Sequence, residues 1–146
     1  PKLLLQDGRE KSLQRRHPWI FSGAVERIEG NPASGDTVQV CEAHGGFLAW
    51  AAYNSQSQIC ARVWSWQAEE QIDADFFLRK ISSALAARKD LKLDQYSNGM
   101  RLIHGESDGL PGLIVDQYDG VLVLQLGSAG AERWRDTFAD VLQELC

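Results

Sequence analysis

Residues 37–66 read TVQVCEAHGGFLAWAAYNSQSQICARVWSW, and their periodicity decides the fold class of the first half of the chain. From Thr37 to Cys41 the pattern alternates, with Val38 and Val40 on one face and Thr37, Gln39 and Cys41 on the other. That is the two-residue period of a half-buried strand. His44-Gly45-Gly46 is a turn signal, and Phe47 to Tyr53 follows as a second, more uniformly apolar strand, so the two form a hairpin. After the polar connection Asn54-Ser55-Gln56-Ser57, Gln58 to Trp66 alternates again. Ile59, Ala61 and Val63 fall on one face, and Cys60, Arg62, Trp64 and Trp66 on the other. Upstream, Gly30, Pro32 and Gly35 punctuate the entry to this meander. Short strands at roughly ten-residue spacing predict a small all-β barrel.

The period changes further along. Asp73 is placed to cap a helix and Asp75 to favour its positive end. Phe77, Ile81, Ala84 and Leu85 then recur at helical spacing to about Lys89, with Arg88 and Lys89 in the last turn, where cations are favoured. Residues 90–99 read as a loop, Met100 to His104 as a short strand, and Leu113 to Gln117 and Val121 to Leu126 as a hairpin about Asp119-Gly120. Trp134, Phe138, Val141, Leu142 and Leu145 make the clearest helical stripe. Composition, charge and period all shift near 67–72, which predicts an all-β domain over 1–68 and part of an α+β domain over 69–146. The chain ends on QELC, inside or just past a helix, and that end reads as a cut in a longer protein.

Of the 146 residues, 44% are hydrophobic and 24% charged, a composition that can bury a core and is far from disordered. No apolar run approaches the ~20 residues of a membrane helix, and PKLLLQDGREK lacks the apolar stretch of a secretory signal. Cys41, Cys60 and Cys146 are odd in number and form no CxxC pair, so neither a zinc site nor a disulfide framework is indicated, and a reducing cytoplasm is the simplest setting. Seven Lys/Arg stand against six Asp/Glu in 1–66, and eight against fourteen in 67–146, so the net charge of −5 comes from the second part. Such an acidic balance argues against general nucleic-acid binding, whereas a local basic patch still acts over a Debye length of ~8 Å.

One such patch is Arg9, Lys11, Arg15, Arg16 and His17, followed by Trp19 and Phe21. Arginine forks suit phosphate and aromatic faces stack unpaired bases; the plainer reading is a solvated basic loop whose Trp19 and Phe21 are core. Trp50, Trp64 and Trp66 read first as core, with Arg62 on the face of Trp64 and Trp66 keeping a second stacking surface open. Within GESDGLPGL (105–113), Glu106 and Asp108 would lie about 7 Å apart on extended chain, in reach of glycosidase chemistry. Both sit in one Gly/Pro turn, however, so turn chemistry is the stronger reading. Ser107 has no GxSxG frame, and the glycines make neither a GxGxxG nor a Walker motif.

Two stretches taken together are familiar. GREKSLQRRHPWIFSGAV (8–25) resembles the opening of the PUA domain in a family of bacterial S-adenosylmethionine-dependent ribosomal RNA methyltransferases, and GESDGLPGLIVDQYDGVLVLQL (105–126) resembles that family's central domain. GDTVQV (35–40), AYNSQSQICARVW (52–64) and RLIHGESDGLPG (101–112) fit in order and spacing, so the resemblance covers nearly the whole chain and is nearest to the large-subunit rRNA (cytosine-5)-methyltransferase I family. It implies a PUA-like pseudo-barrel, a central α+β domain, and a Rossmann-like catalytic domain that is absent from this chain. That missing part would bind S-adenosylmethionine and carry the attacking cysteine. By the same resemblance, RNA contacts fall to Arg9, Lys11, Arg15, Arg16, His17, Trp19 and Arg62, with no catalytic, cofactor or metal residue here. The chain departs from the family at Trp50, Ala51 and Cys60, losing two positive charges from one sheet.

The expectation is therefore the RNA-recognition portion of a cytoplasmic methyltransferase acting on 23S rRNA, with ribosomal RNA as partner, no membrane, and a homodimer left open. A stand-alone PUA-type RNA-binding module is the competing reading, and a small acidic hydrolase using Glu106 and Asp108 a third.

Overall fold

The computed structural model describes residues 1–92 and 97–146 and divides into two compact units, Pro1–Ile72 and Asp73–Cys146. The first contains strands β1 (Lys2–Leu5), β2 (Trp19–Phe21), β3 (Val25–Glu29), β4 (Thr37–Cys41), β5 (Phe47–Tyr53) and β6 (Ile59–Ser65), and a four-residue helix α1 (Lys11–Gln14). They form one sheet in the order β2-β6-β5-β4-β1-β3, antiparallel throughout except for the parallel pair β1 and β4. Its two edge strands, β2 and β3, are joined by only Ser22–Ala24. Laid flat, a six-stranded sheet separates its edges by about 24 Å, whereas that connection reaches about 14 Å. The sheet must therefore curl. Its concave face holds Leu3, Leu5, Ile20, Val38, Val40, Ala49, Ala51, Ala61 and Val63, with Leu13 of α1 packed into the same cluster. This is the mixed architecture expected, a curled β unit followed by an α+β unit.

The hairpin β4–β5 and strand β6 lie where the alternation put them, within one residue at each end. Three strands were not foreseen. β1 reads KLLL, and Leu3, Leu4 and Leu5 are all buried although neighbouring residues point to opposite faces, so no alternation survives. β3 is a largely exposed edge strand and β2 has three residues, both too weakly patterned to show. The reading of 9–21 as a loop with Trp19 and Phe21 in the core is corrected: its centre is α1, its end is β2, and the buried residue is Ile20, while Phe21 is 49% exposed.

The second unit is a helix α2 (Ala74–Asp90), an antiparallel meander of β7 (Gly99–His104), β8 (Leu113–Tyr118) and β9 (Val121–Leu126), and helices α3 (Ala129–Arg133) and α4 (Arg135–Leu145). Asp73 caps α2 by accepting from the Phe76 N–H at 2.9 Å. α2 packs on α4 and β7, burying Phe76, Phe77, Ile81 and Ala84 beside Leu102, Ile103, Leu113, Val115, Phe138, Val141 and Leu142. The expected C-terminal helix is two, because Trp134 closes α3 and opens α4, and Ser128 caps α3 by accepting from the Ala131 N–H. The loop expected over 90–99 lies partly outside the described residues.

Candidate nucleic-acid interface

The basic stretch is organised by how α1 ends. Arg16 N–H donates to the Leu13 carbonyl at 2.8 Å and His17 N–H to the Ser12 carbonyl at 3.0 Å. This closing pair turns the chain through a left-handed residue, normally glycine. Here it is Arg16, at φ 65°, in a conformation costing a residue with a side chain about 1–2 kcal/mol. The chain then enters β2, which pairs antiparallel with β6 as Trp19 opposite Arg62 and Ile20 opposite Ala61. The ladder extends backwards, since Val63 N–H donates to the Pro18 carbonyl at 2.9 Å. Continued by two residues, that register carries Arg16 to the end of β6, and its guanidinium carbon lies over the Trp66 ring, 5.1 Å from the centroid.

His17 stands edge-on to Trp19, ring centroids 5.8 Å apart, and its Nδ1 accepts from the Trp19 N–H at 3.3 Å. Ile20 points to the core, so Trp19 and Arg62, paired across the strands and both half-buried, lie on the opposite face. Arg9, Lys11, Arg15 and Arg16 are exposed, and among the described residues none pairs with a carboxylate. The fold thus brings Arg16, His17, Trp19, Arg62 and Trp66 together, with Arg9, Lys11 and Arg15 on or beside the helix that leads to them. Trp64 is core at 2% exposed, and Trp50 is half-buried with its indole N–H donating to the Ala68 carbonyl at 3.2 Å. Of the three tryptophans considered for a second surface, only Trp66 joins the basic patch.

The Asp108 carboxylate has structural work. Asp108 accepts from both Arg88 guanidinium nitrogens, at 2.8 and 2.6 Å, and from the His104 N–H at 2.6 Å. Gly109, at φ 68°, closes the 3-10 turn Gly105–Asp108 that links β7 to β8. At Gly112, φ 83°, a Cβ would sit 2.2 Å from the Ser128 hydroxyl oxygen, so the turn closes against the cap of α3 only with glycine there. These glycines join two antiparallel strands, where a methyl-donor pocket of the Rossmann kind needs a glycine turn from a strand into a helix. Gly109 and Gly112 are therefore not a turn of that kind. Burial pushes the Cys60 thiol up to about 11 and raises those of Cys41 and Cys146, which keeps all three protonated at neutral pH. Among the described residues no cluster of His, Cys, Asp or Glu is placed to hold a metal.

A curled six-stranded sheet plugged by a short helix, with a basic and aromatic edge, is the architecture of a PUA-like domain, and residues 3–66 match the family model of that description. Nearly the whole chain is similar to proteins named ribosomal RNA large subunit methyltransferase I. It is 54% identical over 142 residues to the proteins of that name from Erwinia tasmaniensis and Yersinia pseudotuberculosis, covering 97% of this chain and 36% of theirs. It therefore spans little more than a third of the length of these curated relatives. Among solved structures, one described as a SAM-dependent methyltransferase from Streptococcus mutans superposes with a TM-score of 0.82 at 17% identity, covering 98% of this chain and 37% of that one. A crystal structure of a methyltransferase complexed with SAH gives the same score at 18% identity. At these identities the match speaks for the fold.

Proposed function

We propose that the first unit, over 1–68, is an RNA-binding module that holds ribosomal RNA for an S-adenosylmethionine-dependent methyltransferase acting on a cytosine C5 of 23S rRNA. The observation that carries this reading is the set of exposed cations on and around α1, unneutralised by any described carboxylate and set beside Trp19 and Trp66. Arginine and lysine contacts to phosphate give affinity through counterion release, and the aromatic edge adds contacts that a bare charge cannot. The names of the relatives support an rRNA substrate, and the second unit, over 69–146, would link this module to a donor-binding domain elsewhere in the longer protein. No described helix is long and apolar enough to cross a membrane, and we place the protein in the cytoplasm. The proposal is for a single chain; nothing in the relatives' names argues for a homodimer.

The test is affinity for large-subunit rRNA fragments measured against salt. Arg15→Ala is expected to weaken binding several-fold and to lower the salt slope by about one unit for each phosphate the side chain neutralises. Unchanged affinity and slope would leave the stretch a solvated surface. In a separate titration, residues 1–146 are expected to show no stoichiometric binding of S-adenosylmethionine. Tight binding would move the donor site into this chain and overturn the division of labour.

A further inference from the structure

We infer that Arg16 and Trp66 form a stacking subsite for one unpaired nucleobase, seated on the solvent side of the guanidinium; this rests on the RNA-binding reading above and adds a base contact to its phosphate contacts. Three observations converge on it. Arg16 occupies a left-handed position where glycine is the unstrained choice, so the side chain is kept there against the backbone's preference. Its guanidinium is held by the Trp66 ring at 5.1 Å, and no described carboxylate competes for it. Trp66 in turn packs against the barrel core, so the layer beneath the guanidinium is rigid.

The spacing says where the base goes. Insertion between the two groups would require about 7 Å, two van der Waals layers of roughly 3.5 Å, and the observed separation is smaller. The outer face of Arg16 is the open one. Guanidinium planes stack nucleobases as aromatic rings do, and only a base free of a duplex offers its face. Arg9, Lys11 and Arg15, on or beside the helix that leads to Arg16, would hold phosphates of the strand that delivers the base. The result is a column of base, guanidinium and indole, with the left-handed backbone fixing where the arginine leaves the chain.

The experiment compares the full 146-residue chain with its variants on a single-stranded oligoadenylate of about ten nucleotides, and on an RNA duplex of the same length, across a salt series. The wild type is expected to prefer the single strand by about tenfold. Arg16→Lys keeps the charge and loses the plane, so it should retain the salt slope and lose the preference. Arg16→Gly relaxes the backbone, should melt within a few degrees of the wild type, should lose the preference, and should lower the slope by about one unit at most. Arg15→Ala should lower the slope and keep the preference. If Arg16→Lys keeps the preference while Arg15→Ala lowers the slope, the stacking subsite is wrong and phosphate binding stands. If the wild type binds neither RNA, the RNA-binding reading fails and takes the subsite with it.

Discussion

Replacing Phe77 with alanine is expected to destabilise the second unit by about 4 kcal/mol. Phe77 is fully buried, and its ring meets three others: Phe76 at 5.1 Å, Trp134 at 4.8 Å and Phe138 at 4.9 Å between centroids. The contacts with Phe76 and Phe138 are edge-to-face, the favoured geometry for aromatic pairs. Truncation removes the apolar burial and leaves a cavity between α2 and α4, walled by stiff rings that cannot collapse into it. Native-state hydrogen exchange of the α2 and α4 amides measures the loss. Phe77→Leu, which keeps most of the volume, should cost under half as much. A cost below about 1 kcal/mol for the alanine variant would mean the ring cluster is not what joins these helices.

Asp108→Ala is expected to cost about 3 kcal/mol. The Arg88–Asp108 pair is largely shielded, with side chains 19% and 10% exposed, and the alanine variant strands a guanidinium and the His104 N–H together. Asp108→Asn keeps an acceptor for that N–H and should lose less. Replacing both partners, Arg88→Met with Asp108→Leu, should recover the share of the loss due to the stranded guanidinium, because no charge is then left unpaired, while the His104 N–H still lacks its acceptor. Denaturant titration of the single variants and the double gives the coupling. Additive losses would show that the pair does not clamp the turn.

That clamp shows what a sequence cannot display. Arg88 sits at the end of α2, where helix-dipole reasoning places a cation for its own sake, and nothing local signals a partner twenty residues on. The glycines and carboxylates of GESDGLPGL were legible as a turn because left-handed glycine is a local property, and Gly109 and Gly112 carry it. Why Gly112 tolerates no side chain depends on Ser128, which the fold brings to it. Strand β4 and helix α2 were readable for the same local reason: each buries mainly one face, so its period is written along the chain. β1, buried on both faces, has no period to read.

The basic patch divides in the same way. Composition and order alone marked Arg9, Lys11, Arg15, Arg16, His17, Trp19 and Arg62, and resemblance tied them to RNA. Which aromatic ring they meet was decided by the antiparallel register of β2 on β6, which pairs Trp19 with Arg62 and brings Arg16 to the end of β6, beside Trp66. Period, capping and turn chemistry act over a few residues and are determined by the sequence itself. Strand register and long-range ion pairs arise only when burial of the whole core selects one arrangement, and so the tertiary structure alone decided them.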